Sequence, residues 1–123
     1  MNRELDTKVA EALGWTELRF EEANVLGGPV LVGYNPRSTY AWCQAPFWSR
    51  DIAVAWELGA GLAGEEVAVF IEALCNICGV DQELLFYDGV DWASVEALNM
   101  LVYATPEQRC RAFLAAKGPE CLT

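Results

Sequence analysis

The sequence contains no histidine among its 123 residues. A serine or cysteine nucleophile therefore finds no imidazole base within this chain, which excludes the common Ser-His and Cys-His arrangements. Pairs of acids such as Asp88 with Asp91, or Glu65 with Glu66, are the remaining candidates for acid–base chemistry. Because neighbouring carboxylates on a strongly acidic stretch are usually solvated, we expect no enzymatic activity.

Lysine and arginine are also absent from the whole span between Asp51 and Gln108. This span holds most of the 18 acidic residues of the chain, whereas the 8 basic residues lie before and after it, and the net charge is −10. Such a field repels phosphate backbones and anionic lipid surfaces and attracts basic proteins. We expect no direct binding to nucleic acid or to membranes. The alternative is that the charge only keeps a small hydrophobic protein in solution.

Long apolar runs are missing as well. No uncharged apolar stretch reaches the ~18 residues of a membrane-spanning helix, and the first residues lack the basic-then-apolar order of a secretion signal. The five cysteines are an odd number in a chain with ample core-forming residues, which argues against a disulfide framework. Cys75 and Cys78 have the spacing of half a metal or redox motif, but we expect them to be buried thiols. We expect a cytoplasmic protein with no metal and no cofactor.

A chain of this length forms one domain, and hydrophobic residues make up 54% of it. We therefore expect a single folded unit over residues 1–123. The spacing of apolar residues predicts a first helix over residues 2–14. Strands are predicted over residues 16–22 and 29–34, joined as a hairpin. Residues 35–47 have no period and are predicted to form a loop.

The second half of the chain is predicted to contain two helices and a short strand, with two further segments that fit either a helix or a strand. A second helix is predicted to begin at Ser49, whose hydroxyl can cap backbone amides. Residues 65–78 fit both the helical and the strand period, with a slight preference for helix. A short strand is predicted over residues 83–87, and residues 92–103 fit either a helix or a strand. A last helix is predicted over residues 106–116, capped by the threonine before it.

Three stretches of the chain share their order and spacing with one family of proteins. Residues 3–15 are similar to the pattern LDxxVAExxxGW, and residues 104–116 are similar to ATxPxAICRAALxA. Residues 48–58 are similar to YSTDIxAAWxL, with Trp48 where the pattern has tyrosine. Together these stretches resemble the phage ABA sandwich domain, a family of small phage-encoded proteins.

This resemblance implies an α+β fold, a small alpha-beta-alpha sandwich in which helices flank a sheet of about three to four strands. It also implies an origin in a phage or prophage, and a strand within part of residues 65–78, against the helical preference above. Residues 59–103 are longer than the family's usual pair of strands. The family has no established activity that carries over to residues of this chain, so the resemblance indicates a fold and not a function.

The predicted loop and its borders form an aromatic candidate surface. It comprises Tyr34, Arg37, Tyr40, Trp42 and Trp48. Tyrosine, tryptophan and arginine are common hot-spot residues, and the same side chains can stack a base and hold one phosphate. The alternative is that Trp42 and Trp48 cover the sheet. Trp15, Trp56 and Trp92 are predicted to lie in the core.

The charge asymmetry and the phage resemblance together favour a non-enzymatic protein that binds a host protein with a basic surface, in the host cytoplasm. By occupying a basic groove meant for nucleic acid, it would inhibit a nucleic-acid-targeting defence complex, in the manner of an anti-CRISPR protein. The predicted acidic face comprises Glu65, Glu66, Asp81, Glu83, Asp88 and Asp91.

Two alternatives to this function stay open. One is a sponge that sequesters a small nucleotide signal in the aromatic loop or at an oligomer interface. The other is a virion or assembly component. The aromatic content also leaves self-association through an apolar patch open.

Overall fold

The computed structural model describes residues 3–22, 29–36, 42–81, 83 and 92–118, and only the backbone of residues 92–94. These residues form five helices and a three-stranded antiparallel sheet, which confirms the predicted α+β class. The helices are α1 (Arg3–Ala12), α2 (Ile52–Ala60), α3 (Glu65–Cys78), α4 (Trp92–Val102) and α5 (Pro106–Lys117). The strands are β1 (Thr16–Glu21), β2 (Val30–Tyr34) and β3 (Trp42–Gln44), and β2 lies between the other two. Within the described residues, no helix is both long and apolar enough to cross a membrane.

Helix α5 contacts α1, α2 and α3, most extensively α3. Its N-terminus has the predicted cap, because the Thr105 hydroxyl accepts the Gln108 backbone N–H at 3.2 Å and Gln108 Oε1 accepts the Thr105 N–H at 2.8 Å. These reciprocal bonds satisfy N–H groups that a helix start otherwise leaves unpaired. Cys110, Phe113 and Leu114 are each at most 1% exposed. Helix α5 therefore combines a reciprocal N-terminal cap with a deeply buried face.

The first ambiguous segment, residues 65–78, is helical throughout. The preference of the apolar spacing for helix is confirmed, and the strand that the resemblance implied here is wrong. Burial follows the helical period, since Phe70, Leu74 and Cys75 are the buried residues of α3. Gly79, with φ 70°, ends the helix in the left-handed conformation that favours glycine. The second ambiguous segment is helix α4, which packs on the end of α3 through Ala97.

Strands β1 and β2 form the predicted antiparallel pair, with Arg19 opposite Val32. The register shifts between Thr16 and Arg19, where Glu17 has a positive φ of 53°. Strand β3 pairs with β2 inside the segment predicted to be a loop, so that prediction is wrong for Trp42–Gln44. A strand of three residues is too short to show an alternating pattern. The strand predicted over residues 83–87 lies, apart from its first residue, outside the described residues.

Helix α2 begins at Ile52, three residues later than predicted, and its cap is Asp51 instead of Ser49. Asp51 Oδ1 accepts the Ala53 N–H at 3.0 Å. Ser49 is used differently, because its backbone N–H donates to Oδ1 of Asp6 at 2.7 Å. Asp6 is 2% exposed and Ser49 5% exposed. A buried carboxylate therefore fixes α1 to the turn that precedes α2.

Glycine at position 33 is required by the close approach of β1 and β2. A methyl group there would lie 2.8 Å from Leu18 Cδ2 and 3.0 Å from the Thr16 carbonyl oxygen. We expect Gly33→Ala to lower the free energy of unfolding by about 1–3 kcal/mol, because overpacking forces neighbours to move. At Gly61, which has φ −84° and its nearest atom at 3.5 Å, alanine should change it by less than about 0.5 kcal/mol. Urea unfolding compares the two variants, and equal effects would contradict the prediction.

The buried carboxylate of Asp6 should make stability depend on pH. Burial raises the pKa of Asp6 above 3.8, and the bonds from Ser49 only partly oppose this effect. Because the folded chain favours the protonated form, the stability contributed by Asp6 is fully present below about pH 4 and is lost as the pH rises through the folded pKa. Asp6→Asn keeps an acceptor oxygen but cannot ionise, so it should remove this part of the pH dependence.

Urea unfolding between about pH 4 and pH 7 checks the Asp6 prediction. Glu11→Gln, on the exposed side of α1, is the matched control and should leave the slope of stability against pH unchanged. Identical slopes for the original chain and Asp6→Asn would contradict the prediction.

Candidate functional site

Part of the predicted acidic face is exposed and free of cations. Glu65, Asp81 and Glu83 are exposed, and within the described part of the chain no ion pair reaches them. Asp81 Oδ1 accepts the Glu83 backbone N–H at 3.0 Å, which holds the turn after α3. Two further candidates of the prediction, Asp88 and Asp91, lie outside the described residues.

Glu66 does not belong to the free acidic face. Its Oε2 lies 3.1 Å from Nζ of Lys117 in α5, and both side chains are partly buried. A cation from the C-terminal helix therefore neutralises this carboxylate. The sequence predicts Glu66 on the acidic face because this residue lies in the cation-free span of the chain, whereas the pairing cation is distant in sequence.

Glu72 is an acidic residue that the sequence prediction missed. It is exposed and has no ion pair within the described residues. It follows Glu65 by two helical turns, so the two carboxylates leave α3 on the same side, about 10.5 Å apart along the axis. We call Glu65, Glu72, Asp81 and Glu83 the acidic segment. Helical spacing reveals Glu72 as soon as residues 65–78 are known to be a helix.

The described aromatic candidates separate between the core and the exposed surface. Trp48 is 4% exposed and packs edge-on against Trp15, with ring centroids 6.1 Å apart. The prediction that Trp48 lines a binding surface is therefore wrong, because its ring fills the core. Tyr34 and Trp42 are direct partners in the sheet, and their rings meet edge-on at 5.0 Å with more than a third of each side chain exposed. Arg37 and Tyr40 lie outside the described residues.

Arg19 covers the outer face of the sheet. Its guanidinium lies 4.7 Å from the Trp42 ring centroid, and its Nε and Nη2 lie 2.9 Å and 2.6 Å from Oε1 of Glu21. Val32, opposite Arg19 on this face, is only 6% exposed. The guanidinium is thus already bound by a ring and a carboxylate, so it is poorly suited to holding a phosphate.

Trp56, predicted to lie in the core, is 48% exposed. Its ring covers the guanidinium of Arg109, whose Cζ lies 4.1 Å from the ring centroid. Arg109 is only 6% exposed, and its Nη2 donates to the carbonyl oxygens of Leu101 at 2.6 Å and Val102 at 3.1 Å. The core prediction for Trp56 is wrong because the tryptophan packs on a buried cation instead of on apolar side chains.

Arg109 stabilises the C-terminal end of α4. The last carbonyls of a helix have no partner within the helix and carry the negative end of its dipole. Burial lowers the pKa of Arg109 from its ordinary value, and its Nε has no hydrogen-bond partner within the described residues. Because the guanidinium faces carbonyls and an indole, we interpret Arg109 as a structural cation that joins α2, α4 and α5.

Three of the described thiols are poorly suited to metal binding or catalysis. Cys75, Cys78 and Cys110 are free thiols, and burial raises the pKa of all three, that of Cys110 to about 12. A raised pKa leaves little thiolate, which is the form that attacks and binds metals. Cys75 and Cys110 are buried as predicted, and Cys78 is partly buried. Within the described ranges, no group of three or more cysteine or acidic side chains is placed to hold a metal ion.

A cavity of about 470 Å³ lies between α1, α3 and α5. Its apolar walls include Leu5, Ala73, Ile77 and Leu114, and its cationic residues are Lys8 and Arg111. A smaller hollow of about 190 Å³ adjoins it and shares Leu5, Lys8 and Arg111. The sequence prediction missed this cavity because its residues come from three helices that are far apart in the chain.

The stacked arginine gives a stability prediction. Arg109→Lys keeps the charge but loses the planar contact with Trp56 and the paired carbonyl bonds. We expect it to lower the free energy of unfolding by about 1–3 kcal/mol. Arg111→Lys is the matched control and should cost less than about 0.5 kcal/mol, because Arg111 is half exposed and lies 3.8 Å from Glu107. Urea unfolding measures both, and equal costs would contradict the prediction.

Comparison with known proteins identifies no relative of this chain. No family model, no curated protein and no solved structure matches it, so the similarity to the phage ABA sandwich domain stays a prediction from the sequence.

Proposed function

We propose that this chain is a non-enzymatic binding protein that contacts a basic surface of a host protein through its acidic segment. The observation that carries this proposal is the exposure of Glu65, Glu72, Asp81 and Glu83 without an ion-pair partner in the described residues. Four other acids, Glu4, Glu21, Glu66 and Glu107, each lie within ion-pair distance of a cation.

The spacing of the acidic segment lets its charges act together. Glu65 and Glu72 are about 10.5 Å apart along α3, which is close to the Debye length of about 10 Å at 0.1 M salt. Their fields therefore overlap in front of the helix at moderate ionic strength. An overlapping negative potential accelerates the encounter with a positively charged partner and orients it.

One apolar side chain on this side of α3 would add affinity to the electrostatic contact. Val69 follows Glu65 by four residues, so the two share one side of the helix, and Val69 is 41% exposed. A partner that covers it gains about 25 cal/mol for each Å² of apolar surface removed from water. Charge would then set the rate and orientation of binding, and apolar burial would contribute to the lifetime of the complex.

The partner that we infer is a host protein with a groove for nucleic acid, because such a groove presents lysine and arginine side chains to phosphates. The phage resemblance makes a nucleic-acid-targeting defence complex the leading partner of this type. An acidic protein that occupies the groove excludes the nucleic acid and so inhibits the complex. The absence of histidine and the raised pKa values of the described buried thiols support a non-enzymatic role.

Charge reversal on α3 tests this proposal. We expect Glu65→Lys combined with Glu72→Lys to raise the dissociation constant for the basic partner by at least about tenfold, since two attractive contacts become repulsive. Glu11→Lys combined with Glu22→Lys is the matched control. Both of its sites are exposed and lie outside the acidic segment, and it changes the net charge by the same amount.

The measurement is retention of host proteins on the immobilised chain, with elution by salt and competition by duplex DNA. The retained partner should elute as the salt rises towards about 1 M, where the Debye length falls to about 3 Å, and DNA should displace it. Circular dichroism confirms that both variants are folded. Retention that changes with neither salt nor DNA would show that the acidic segment is not the contact. An equal loss of partner binding in the two double variants would show the same.

A further inference from the structure

We propose that the cavity between α1, α3 and α5 binds a small amphipathic anion, an elongated apolar molecule with one terminal carboxylate. The volume of about 470 Å³ falls within the range of about 300–1,000 Å³ that is usual for ligand sites. This proposal does not rest on the acidic segment and is tested separately from it.

The walls of the cavity suit an apolar chain. Leu5 and Leu114 are 6% and 1% exposed and form part of the main core. Ala73 lines the cavity from α3, and its small side chain leaves space where a longer one would pack against α1 and α5. Ile77, 37% exposed, lines the same cavity from the last turns of α3. An apolar ligand would replace the missing side-chain volume and cover Ile77.

Two cations line this cavity together with its apolar walls. Lys8 and Arg111 line both the large cavity and the smaller hollow beside it, so they mark the place where the two join. Lys8 Nζ lies 3.6 Å from Glu4 and Arg111 Nη2 lies 3.8 Å from Glu107. Both distances exceed the ~3.2 Å limit of a good N–H···O bond. The cations therefore keep donors for a bound carboxylate, whose hydrogen bonds would be charge-assisted.

Two cations at one cavity are unexpected in a chain with so strong a negative charge. The whole protein carries −10 and has only 8 lysine and arginine residues, yet two of them line one apolar cavity. The glutamate that shares the smaller hollow, Glu4, has a side chain that is 82% exposed, so a ligand carboxylate can displace it into water at little cost.

The same observations decide the class of ligand. None of the described lining residues is aromatic, so a nucleotide base would have no ring to stack on. A polyphosphate would bring several charges into a negative field. One carboxylate adds a single charge beside Lys8 and Arg111, whose present partners Glu4 and Glu107 lie 3.6 Å and 3.8 Å away. A fatty-acid-like carboxylate of medium length satisfies both the apolar walls and the two cations.

The experiment is a calorimetric titration of the full chain with monomeric decanoate. We expect saturable one-to-one binding and a higher melting temperature, because a ligand specific to the folded state stabilises it. Decanol and decyltrimethylammonium have the same chain without the negative charge, and each should bind at least about tenfold more weakly. In the bound state, the backbone amide NMR signals of Lys8, Asn76 and Arg111 should shift most.

Two variants and one control test separately how the carboxylate and the alkyl chain of decanoate contribute to binding. Lys8→Gln combined with Arg111→Gln should reduce decanoate binding by at least about tenfold. Arg3→Gln combined with Arg50→Gln, which removes the same charge at exposed positions, should leave it unchanged. Ala73→Leu should fill the cavity and abolish binding, without lowering the melting temperature.

Three outcomes would overturn this proposal. The first is the absence of saturable decanoate binding to the folded chain. The second is equal affinity for decanol, or equal affinity in the Lys8/Arg111 variant. The third is a dimer in sedimentation experiments that Ala73→Leu dissociates, since the cavity would then be covered by a second copy of the chain.

Discussion

Burial of α5 against α1, α2 and α3 positions every feature on which the proposals rest. Phe113 and Leu114 are 1% exposed, and a fully buried side chain of this type stabilises a fold by about 1.5–3 kcal/mol. Since α1 and α3 both contact α5, the space between them is set by this helix. α1 also contacts β2 and so links the helices to the sheet. A change in the position of α5 would therefore alter the cavity and the exposed side of α3 together.

The scarcity of cations makes the position of each one important. With 8 lysine and arginine residues against 18 acids, a carboxylate without a nearby cation is the ordinary case, and a paired one is the exception that needs a structural reason. Lys117 pairs with Glu66 because α5 lies beside α3. Arg109 is used to hold backbone carbonyls of α4 instead of a carboxylate. The negative field of the acidic segment is thus a result of where the fold places its few cations.

Short sequence patterns predicted those elements of the fold whose formation depends on residues that are close together in the chain. The cap at Thr105 and the proline after it define the start of α5 in the sequence itself, and the antiparallel pair of β1 and β2 follows from two short apolar runs. Trp48 and Trp56 show the limit of such reasoning, since the same residue type is buried in one case and half exposed in the other. The difference depends on the distant partners Trp15 and Arg109. Asp6 and the cavity were missed for the same reason, because their contacts join segments that are far apart in the chain.

The irregularity in β1 has a consequence for how this strand can vary. Thr16 is opposite Tyr34 and Arg19 is opposite Val32, so three steps along β1 correspond to two along β2. The extra residue is absorbed where Glu17 adopts φ 53°. Leu18 therefore still meets Gly33 on the inner side, and Arg19 still covers the outer side. Glu17 behaves as one inserted residue that takes no part in the alternation of side chains between the two faces of the sheet. Deletion of one residue here would therefore leave all the other side chains of β1 on their present face.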